Sequence, residues 1–154
     1  MTQDQILQNL VKKFPFLEGK IRAPRARRIF IDDITANFDE VFNYAVKDLE
    51  FSILLTISGM DEGDRITFAY HLARIDGNIL TVKKSAPKNN PVIKTITPQF
   101  FSADIYEREL VDLLGVRVEG LPEGNRYPLP DDWPKGEYPL RKDWKKDSFP
   151  GKGT

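Results

Sequence analysis

The chain has 154 residues, of which about 40% are apolar, and it carries 23 acidic and 23 basic side chains. This length fits one domain, or one domain with an appended tail, and the balanced charge provides no global field that would steer the protein onto nucleic acid or an anionic membrane. With no cysteine and His71 as the only histidine, neither an iron–sulfur cluster nor a structural zinc site can be built from this chain alone. We therefore expect no cofactor and no metal site.

Two further features of the sequence bear on location. No apolar run approaches the ~18 residues that a membrane-spanning helix needs. The first residues, Met1–Gln5, lack the basic and apolar regions of a secretory signal. We expect a protein of the cytoplasm that does not cross a membrane.

The N-terminal third predicts two helices around a short strand. Thr2 and Gln5 have the spacing of a capping box, and the apolar stripe that follows predicts a first helix ending near Phe14. Residues 29–31 predict the strand. The second helix is predicted by apolar residues at helical spacing, namely Phe38, Val41, Phe42, Ala45 and Leu49.

Three strands should follow. Residues 51–58 are rich in β-branched and apolar side chains, residues 66–73 alternate with the period of a half-buried strand, and residues 79–84 complete the set. Turns are predicted at 59–64 and 76–78. The sequence thus predicts an α+β fold, a two-layer domain with a mainly antiparallel or mixed sheet packed against two to three helices.

A third helix is predicted from Thr97–Pro98, with proline at the first helical position, to Gly115. Its apolar arc would comprise Tyr106, Leu110, Leu113 and Leu114. Asp104, Arg108 and Asp112 lie opposite, four residues apart, and predict an ion-pair ladder facing solvent or a partner. Glu107 and Glu109 flank the apolar arc. General acid–base catalysis by these acids is a weak alternative, because the chain has no nucleophile motif or glycine-rich phosphate loop.

After Gly120 the chain is punctuated by prolines, at positions 122, 128, 130, 134, 139 and 150. This spacing excludes a regular helix or central strand. Trp133 and Trp144 are too apolar for a simple linker, so we predict a domain at 1–118 and an extended arm at 119–154 that docks on a partner.

Two other features remain open to more than one interpretation. Arg22, Arg25, Arg27 and Arg28 surround Pro24 and form either a solvated loop and strand edge or a contact for RNA, phospholipid headgroups or an acidic partner. His71 is more consistent with a satisfied strand histidine than with a proton shuttle.

Three motifs carry a resemblance to a known family. The run from Tyr106 to Gly115, YERELVDLLG, resembles the E-R-E-x-x-D-L-x-G signature of the thirty-kilodalton subunit of respiratory complex I. Downstream, LPDDW at 129–133 and PLRKD at 139–143 are similar to the family's L-P-x-D-W and P-L-R-K-D motifs. The motifs occur in the family's order, and the likeness covers roughly residues 50–145.

The sequence also departs from part of that family. Quinone-linked members often read G-H-P-D-L-R-R where this chain has GLPEGNR at 120–126, without the histidine and the aspartate. The chain also stops soon after the last motif. Both traits look more like the homologous small subunit of membrane-bound nickel–iron hydrogenases and related ferredoxin-linked complexes.

The resemblance implies a non-catalytic, cofactor-free structural subunit of the peripheral arm of a membrane-bound oxidoreductase, on the cytoplasmic side of the cell membrane. It would dock on a large hydrogenase-like subunit, beside cluster-bearing small subunits, in a complex that couples electron transfer to ion translocation. The equivalent subunit of NADH:quinone oxidoreductase is an alternative, and a free-standing RNA-binding protein a remoter one. The expected partner interface comprises Glu107, Arg108, Glu109, Asp112, Trp133, Pro139, Leu140, Arg141, Lys142, Asp143 and Trp144.

Overall fold

The computed structural model describes residues 1–146. In chain order its elements are α1 (Gln3–Lys13), β1 (Ile21–Arg25), β2 (Arg28–Ile31), α2 (Phe38–Lys47), β3 (Ile53–Asp61), β4 (Arg65–Ala73), β5 (Ile79–Pro87), β6 (Val92–Lys94), α3 (Ala103–Leu114) and β7 (Arg117–Glu119). Short 3-10 helices occupy Pro15–Leu17 and Thr35–Asn37. The α+β prediction is confirmed.

The main sheet has five strands in the order β1-β2-β5-β4-β3. β1 and β2 pair antiparallel, whereas β2 and β5 pair parallel, with Arg28 opposite Ile79. β3 and β4 are neighbours joined only by Glu62–Asp64, a connection so short that it requires an antiparallel pair. The sheet is therefore mixed, as the sequence allowed.

The first two helices form for the local reasons that their residue patterns predict. Thr2 and Gln5 make both hydrogen bonds of the capping box, and Ile6 and Leu10 of α1 are fully buried. α2 buries Phe38 and Phe42, whose rings lie 4.7 and 5.7 Å from the ring of Tyr70 in β4. These aromatic contacts fix α2 against the sheet.

The chain forms two compact units. One comprises Met1–Ser58 with Thr67–Ser85, and contains α1, α2, β1 and β2. The other comprises Gly59–Ile66 with the described chain from Ala86 onward, and contains α3 and a second sheet in which β6 and β7 pair parallel. A helix that connects two parallel strands makes a βαβ arrangement, which the sequence analysis did not predict.

Several predicted boundaries and one predicted burial pattern were wrong. α3 begins at Ala103 rather than at Thr97–Pro98, because the Ile96 carbonyl accepts the amides of Gln99 and Phe100 and closes a separate turn. α2 ends at Lys47, so Leu49 is buried beyond the helix. The strand predicted at 79–84 continues to Pro87 as β5. The boundary of β3 and the burial of β4 also differ from the prediction.

The predicted turn at 59–64 is shorter, because β3 continues through Gly59 to Asp61. A Cβ at Gly59 would stand 2.4 Å from Leu114 Cδ1, so this glycine allows α3 to approach the strand closely. β4 is buried on both faces rather than one, since its second face carries the short side chains of Thr67, Ala69 and Ala73 in a strand that has neighbours on both sides.

Candidate partner interface

The signature helix α3 buries one stripe, made of Ala103, Glu107, Leu110 and Leu114. The helix ends at Leu114 and is capped by Gly115, whose φ of 69° is the left-handed conformation that glycine adopts readily. The buried stripe thus includes a carboxylate where the sequence predicted only apolar side chains.

Glu107 is fully buried, and its acceptors are used inside its own unit. Glu107 Oε2 accepts from the Thr95 hydroxyl at 2.6 Å, and Oε1 accepts from the Ile96 amide at 2.8 Å. Glu107 therefore holds the segment before α3 against the middle of the helix through these hydrogen bonds.

The predicted ion-pair ladder splits into two separate pairs. Arg108 makes a two-point contact with Asp104 at 2.9 and 3.0 Å and also donates to the Pro122 carbonyl at 2.5 Å. Asp104 raises the pKa of Arg108. Arg108 thus connects α3 with the segment after Gly120.

Asp112 is buried beneath the C-terminal segment. It accepts from Arg126 Nε and Nη2 at 3.3 and 3.2 Å, and from the Leu129 amide at 3.1 Å. The spacing of acids on α3 gave no indication of this partner, which lies fourteen residues further along the chain. Among residues 1–146, Glu109 makes no hydrogen bond or ion pair, and it is partly exposed.

The two tryptophans of the C-terminal segment lie together. Their ring centroids are 6.3 Å apart, and the ring planes are inclined to each other by 29°. Trp133 Nε1 donates to the Glu137 carbonyl and Trp144 Nε1 to the Glu137 carboxylate, at 2.8 and 2.7 Å. Both rings are partly exposed, so they form a small aromatic surface.

The PLRKD segment is attached to the chain through both backbone and side-chain atoms. The Leu140 amide donates to the Leu113 carbonyl at 3.1 Å, and Arg141 Nε donates to the Leu114 carbonyl at 2.8 Å. Pro139 is partly exposed and Leu140 is 54% exposed. The described part of the predicted arm thus lies on its own unit, and the side chain of Leu140 still faces outward.

A charge cluster that the sequence analysis missed anchors the same segment. Lys88 lies 2.8 Å from Asp61 and 2.9 Å from Asp143, and the Lys142 amide donates to Asp61 Oδ2 at 2.8 Å. Burial on its own would raise the pKa of Asp61, but Lys88 and the amides of Lys142 and Gly63 outweigh it and lower the pKa to about 2. Asp61 and Asp143 in turn raise the pKa of Lys88.

The other candidate residues belong to the chain's first unit. Arg22 stacks on Phe30 at 4.8 Å and lies 3.8 Å from Asp32, while Arg28 donates to the Arg27 carbonyl. His71 contacts the Thr81 hydroxyl at 2.9 Å, and burial lowers its pKa, with Lys83 adding to the shift. The contacts of His71 are those of a satisfied strand histidine.

Two searches over residues 1–146 bear on other kinds of site. No group of three or more His, Cys, Asp or Glu side chains in this range could hold a metal ion. No helix in the same range is long and apolar enough to span a membrane.

Comparison with known protein families identifies the family of the chain. The family described as the 30 Kd subunit of the respiratory-chain NADH dehydrogenase matches residues 24–150. The chain belongs to this family. The resemblance carried by the α3 signature is therefore confirmed over a longer stretch than the motifs themselves cover.

Relatives in this family are subunits of several different oxidoreductases. One subunit of the F(420)H(2) dehydrogenase of Methanosarcina mazei is 34% identical over 84% of this chain and 86% of its own length. The beta subunit of the membrane-bound hydrogenase of Pyrococcus furiosus is 29% identical over 88% of this chain and 83% of its own. A chain in the structure of the membrane-bound sulfane sulfur reductase, an archaeal respiratory membrane complex, superposes with a TM-score of 0.81 at 25% identity, over 95% and 87% of the two chains.

Proposed function

We propose that this protein is a structural, cofactor-free subunit of a complex I-like, membrane-bound oxidoreductase and does not catalyse a reaction itself. It would lie in the peripheral arm on the cytoplasmic side of the membrane and support electron transfer coupled to ion translocation. The main support for a structural role is that two acidic side chains of the α3 signature serve to hold the fold together. Glu107 and Asp112 are buried and hydrogen-bonded within their own unit, so neither is available to exchange a proton with a substrate.

Within this class we favour the branch of membrane-bound nickel–iron hydrogenases and related ferredoxin-linked complexes. The segment at 120–126 lacks the histidine and aspartate of the quinone-linked pattern. The relationship to the Pyrococcus furiosus hydrogenase subunit, which extends over most of both chains, supports the same choice. NADH:quinone oxidoreductase is the second candidate, favoured by the family model that matches most of the chain.

The large hydrogenase-like subunit is the partner that we propose. Glu109, the Trp133 and Trp144 surface, Pro139, Leu140 and the side chains of Lys142 and Asp143 would contact it directly, because they remain at least partly exposed. The guanidinium groups of Arg108 and Arg141 carry further N–H donors, which would bind a carboxylate of the partner. Glu107 and Asp112 would contribute by holding α3 and the C-terminal segment in place.

Native purification tests this proposal. The tagged protein is expressed in its own host, isolated in mild detergent, and its companions are identified by mass spectrometry. We expect a large hydrogenase-like subunit and cluster-bearing small subunits in fixed ratios, and their identity separates the hydrogenase branch from the quinone branch. A protein that is isolated alone and monodisperse would contradict the proposal.

A further inference from the structure

A groove of about 510 Å³ lies between the start of α3 and the segment at 122–127. Three apolar side chains are exposed along it, Phe101 at 88%, Ile105 at 44% and Tyr127 at 43%. Single exposed apolar residues are common on protein surfaces, but a cluster lining a groove is typical of an interaction site. The predicted interface did not include any of these three residues.

The walls of this groove are fixed by contacts already described. Arg108 joins the helix to the Pro122 carbonyl, and Gly124 lies so close to Arg108 that a Cβ there would stand 2.6 Å from its Nη2. Arg126, on the same wall, is held by Asp112. The groove is therefore preformed, which lowers the entropic cost of binding.

Within residues 1–146, the positive side chains around the groove are neutralised and two negative ones are not. Its two arginines, Arg108 and Arg126, are each neutralised by an aspartate of α3. Glu123 lies in the groove wall, and Glu109 lies one turn beyond Ile105 on the same stripe of α3. Among residues 1–146, neither of these two glutamates has a hydrogen bond or an ion pair. The groove thus presents apolar anchors beside unneutralised negative charge.

We propose that this groove receives a segment of a partner subunit that carries apolar side chains flanked by lysine or arginine. The inference rests on the proposed function and names the chemistry of the partner at one site. Complementary charge favours such a segment over an anionic lipid surface, which the glutamates would repel. A second copy of this chain fits poorly, because inserting its arginine-rich β1–β2 region here would be a head-to-tail contact, which builds a ring or a filament rather than a closed two-fold dimer.

The contribution of the apolar anchor can be measured in the intact complex. Phe101→Asp places a charge where an aromatic side chain would be desolvated, and we expect at least a tenfold loss of the large subunit retained on the tagged protein. Ile75→Asp is the matched control, since Ile75 is 93% exposed and lies in the other unit. Retention unchanged by Phe101→Asp, with both variants folded to the same melting temperature, would overturn the proposal.

The charge argument has a separate test. Glu123→Lys should weaken retention several-fold at low salt and have less effect at high salt, because salt screens the lost attraction. Glu18→Lys, a change at another exposed glutamate, should have no effect at either salt concentration. An equal effect of both changes, or an effect of Glu123→Lys that does not depend on salt, would contradict charge complementarity.

Photo-crosslinking identifies the occupant. With p-benzoylphenylalanine at position 101 in the assembled complex, we expect crosslinks to a basic and apolar segment of a partner subunit. Crosslinks to lipid or to a second copy of the chain, or none, would refute the proposal for this groove. If wild-type protein assembles normally while these tests fail, only the groove assignment is wrong; if wild-type protein has no partners, the proposed function itself is wrong.

Discussion

Glu107 illustrates how a signature residue can serve its own fold. Replacing it with alanine leaves the buried Ile96 amide without its acceptor, whereas the Thr95 hydroxyl still has the Thr97 hydroxyl 2.8 Å away. A buried donor without an acceptor costs roughly 1–3 kcal/mol, so we expect Glu107→Ala to lower the free energy of unfolding by about 2–3 kcal/mol. Urea unfolding measures the change. Glu109→Ala, on the same helix and without a partner among residues 1–146, is the control and should cost less than about 0.5 kcal/mol.

Asp61 should make stability depend on acid pH. Its pKa is lowered to about 2 from 3.8, so its ionised form stabilises the native state. That stabilisation is fully present above about pH 4 and is lost as the pH falls towards 2. Asp61→Asn should therefore lose less stability than the wild type between these values, as measured by thermal unfolding.

The variant should not become independent of pH. Asp76 also has a lowered pKa, because the hydrogen bonds from Asn78 and Arg74 outweigh the effect of burial, and it titrates in both proteins. Asp132→Asn, at an exposed position, serves as the control. Parallel wild-type and Asp61→Asn curves across the acid range would show that ionised Asp61 does not stabilise the native state.

At the scale of elements, the end of α3 and the C-terminal segment depend on one glycine. Gly115 has a φ of 69°, and a Cβ there would stand 2.4 Å from Tyr138 Cε2. Gly115→Ala therefore combines a left-handed alanine with a steric overlap, and should destabilise the protein by about 2–4 kcal/mol. Gly19→Ala, with a φ of 79° and nothing within 4 Å, should cost only about 1–2 kcal/mol. Equal losses of stability would show that Tyr138 accommodates the methyl group.

Elements with local signals were predictable from the sequence. The capping box at Thr2 fixed the start of α1, and Gly115 fixed the end of α3. The strands β6 and β7 were missed, because three residues each are too few to show a periodicity, and their pairing joins segments on either side of a helix. The Asp61 and Lys88 pair was missed for a similar reason, since nothing local to either residue indicates the other.

At the scale of the whole molecule, substitutions at different residues of the predicted interface should have different effects on folding and on assembly. Glu109 has no partner among residues 1–146, so Glu109→Gln should leave the fold intact and weaken assembly, by ~2–5 kcal/mol if its contact is desolvated. A pull-down of the complex under increasing salt measures the loss. Glu40→Gln, at an exposed position of α2, is the control. Assembly that tolerates Glu109→Gln would remove this residue from the interface.

Arg141 is expected to behave differently, because its Nε already donates to the Leu114 carbonyl and its guanidinium lies 4.9 Å from the Tyr138 ring centroid. A loss of assembly in an Arg141 variant could therefore arise inside the chain. The family could be recognised from three short motifs and the fold class from residue periodicity. This division of roles could not be predicted, because it depends on which side chains the folded C-terminal segment covers.

Two attachments of the PLRKD segment are made by main-chain amides, and this has a consequence for how such subunits diverge. The amides of Leu140 and Lys142 carry contacts that any amino acid except proline can supply. Mutations can accumulate at these two positions without detaching the segment, while the outward side chains change freely. The same fold can thus acquire new binding specificities through substitutions at a few sites. A library randomised at positions 140 and 142 should yield mostly folded proteins, with the proline variants as the exception.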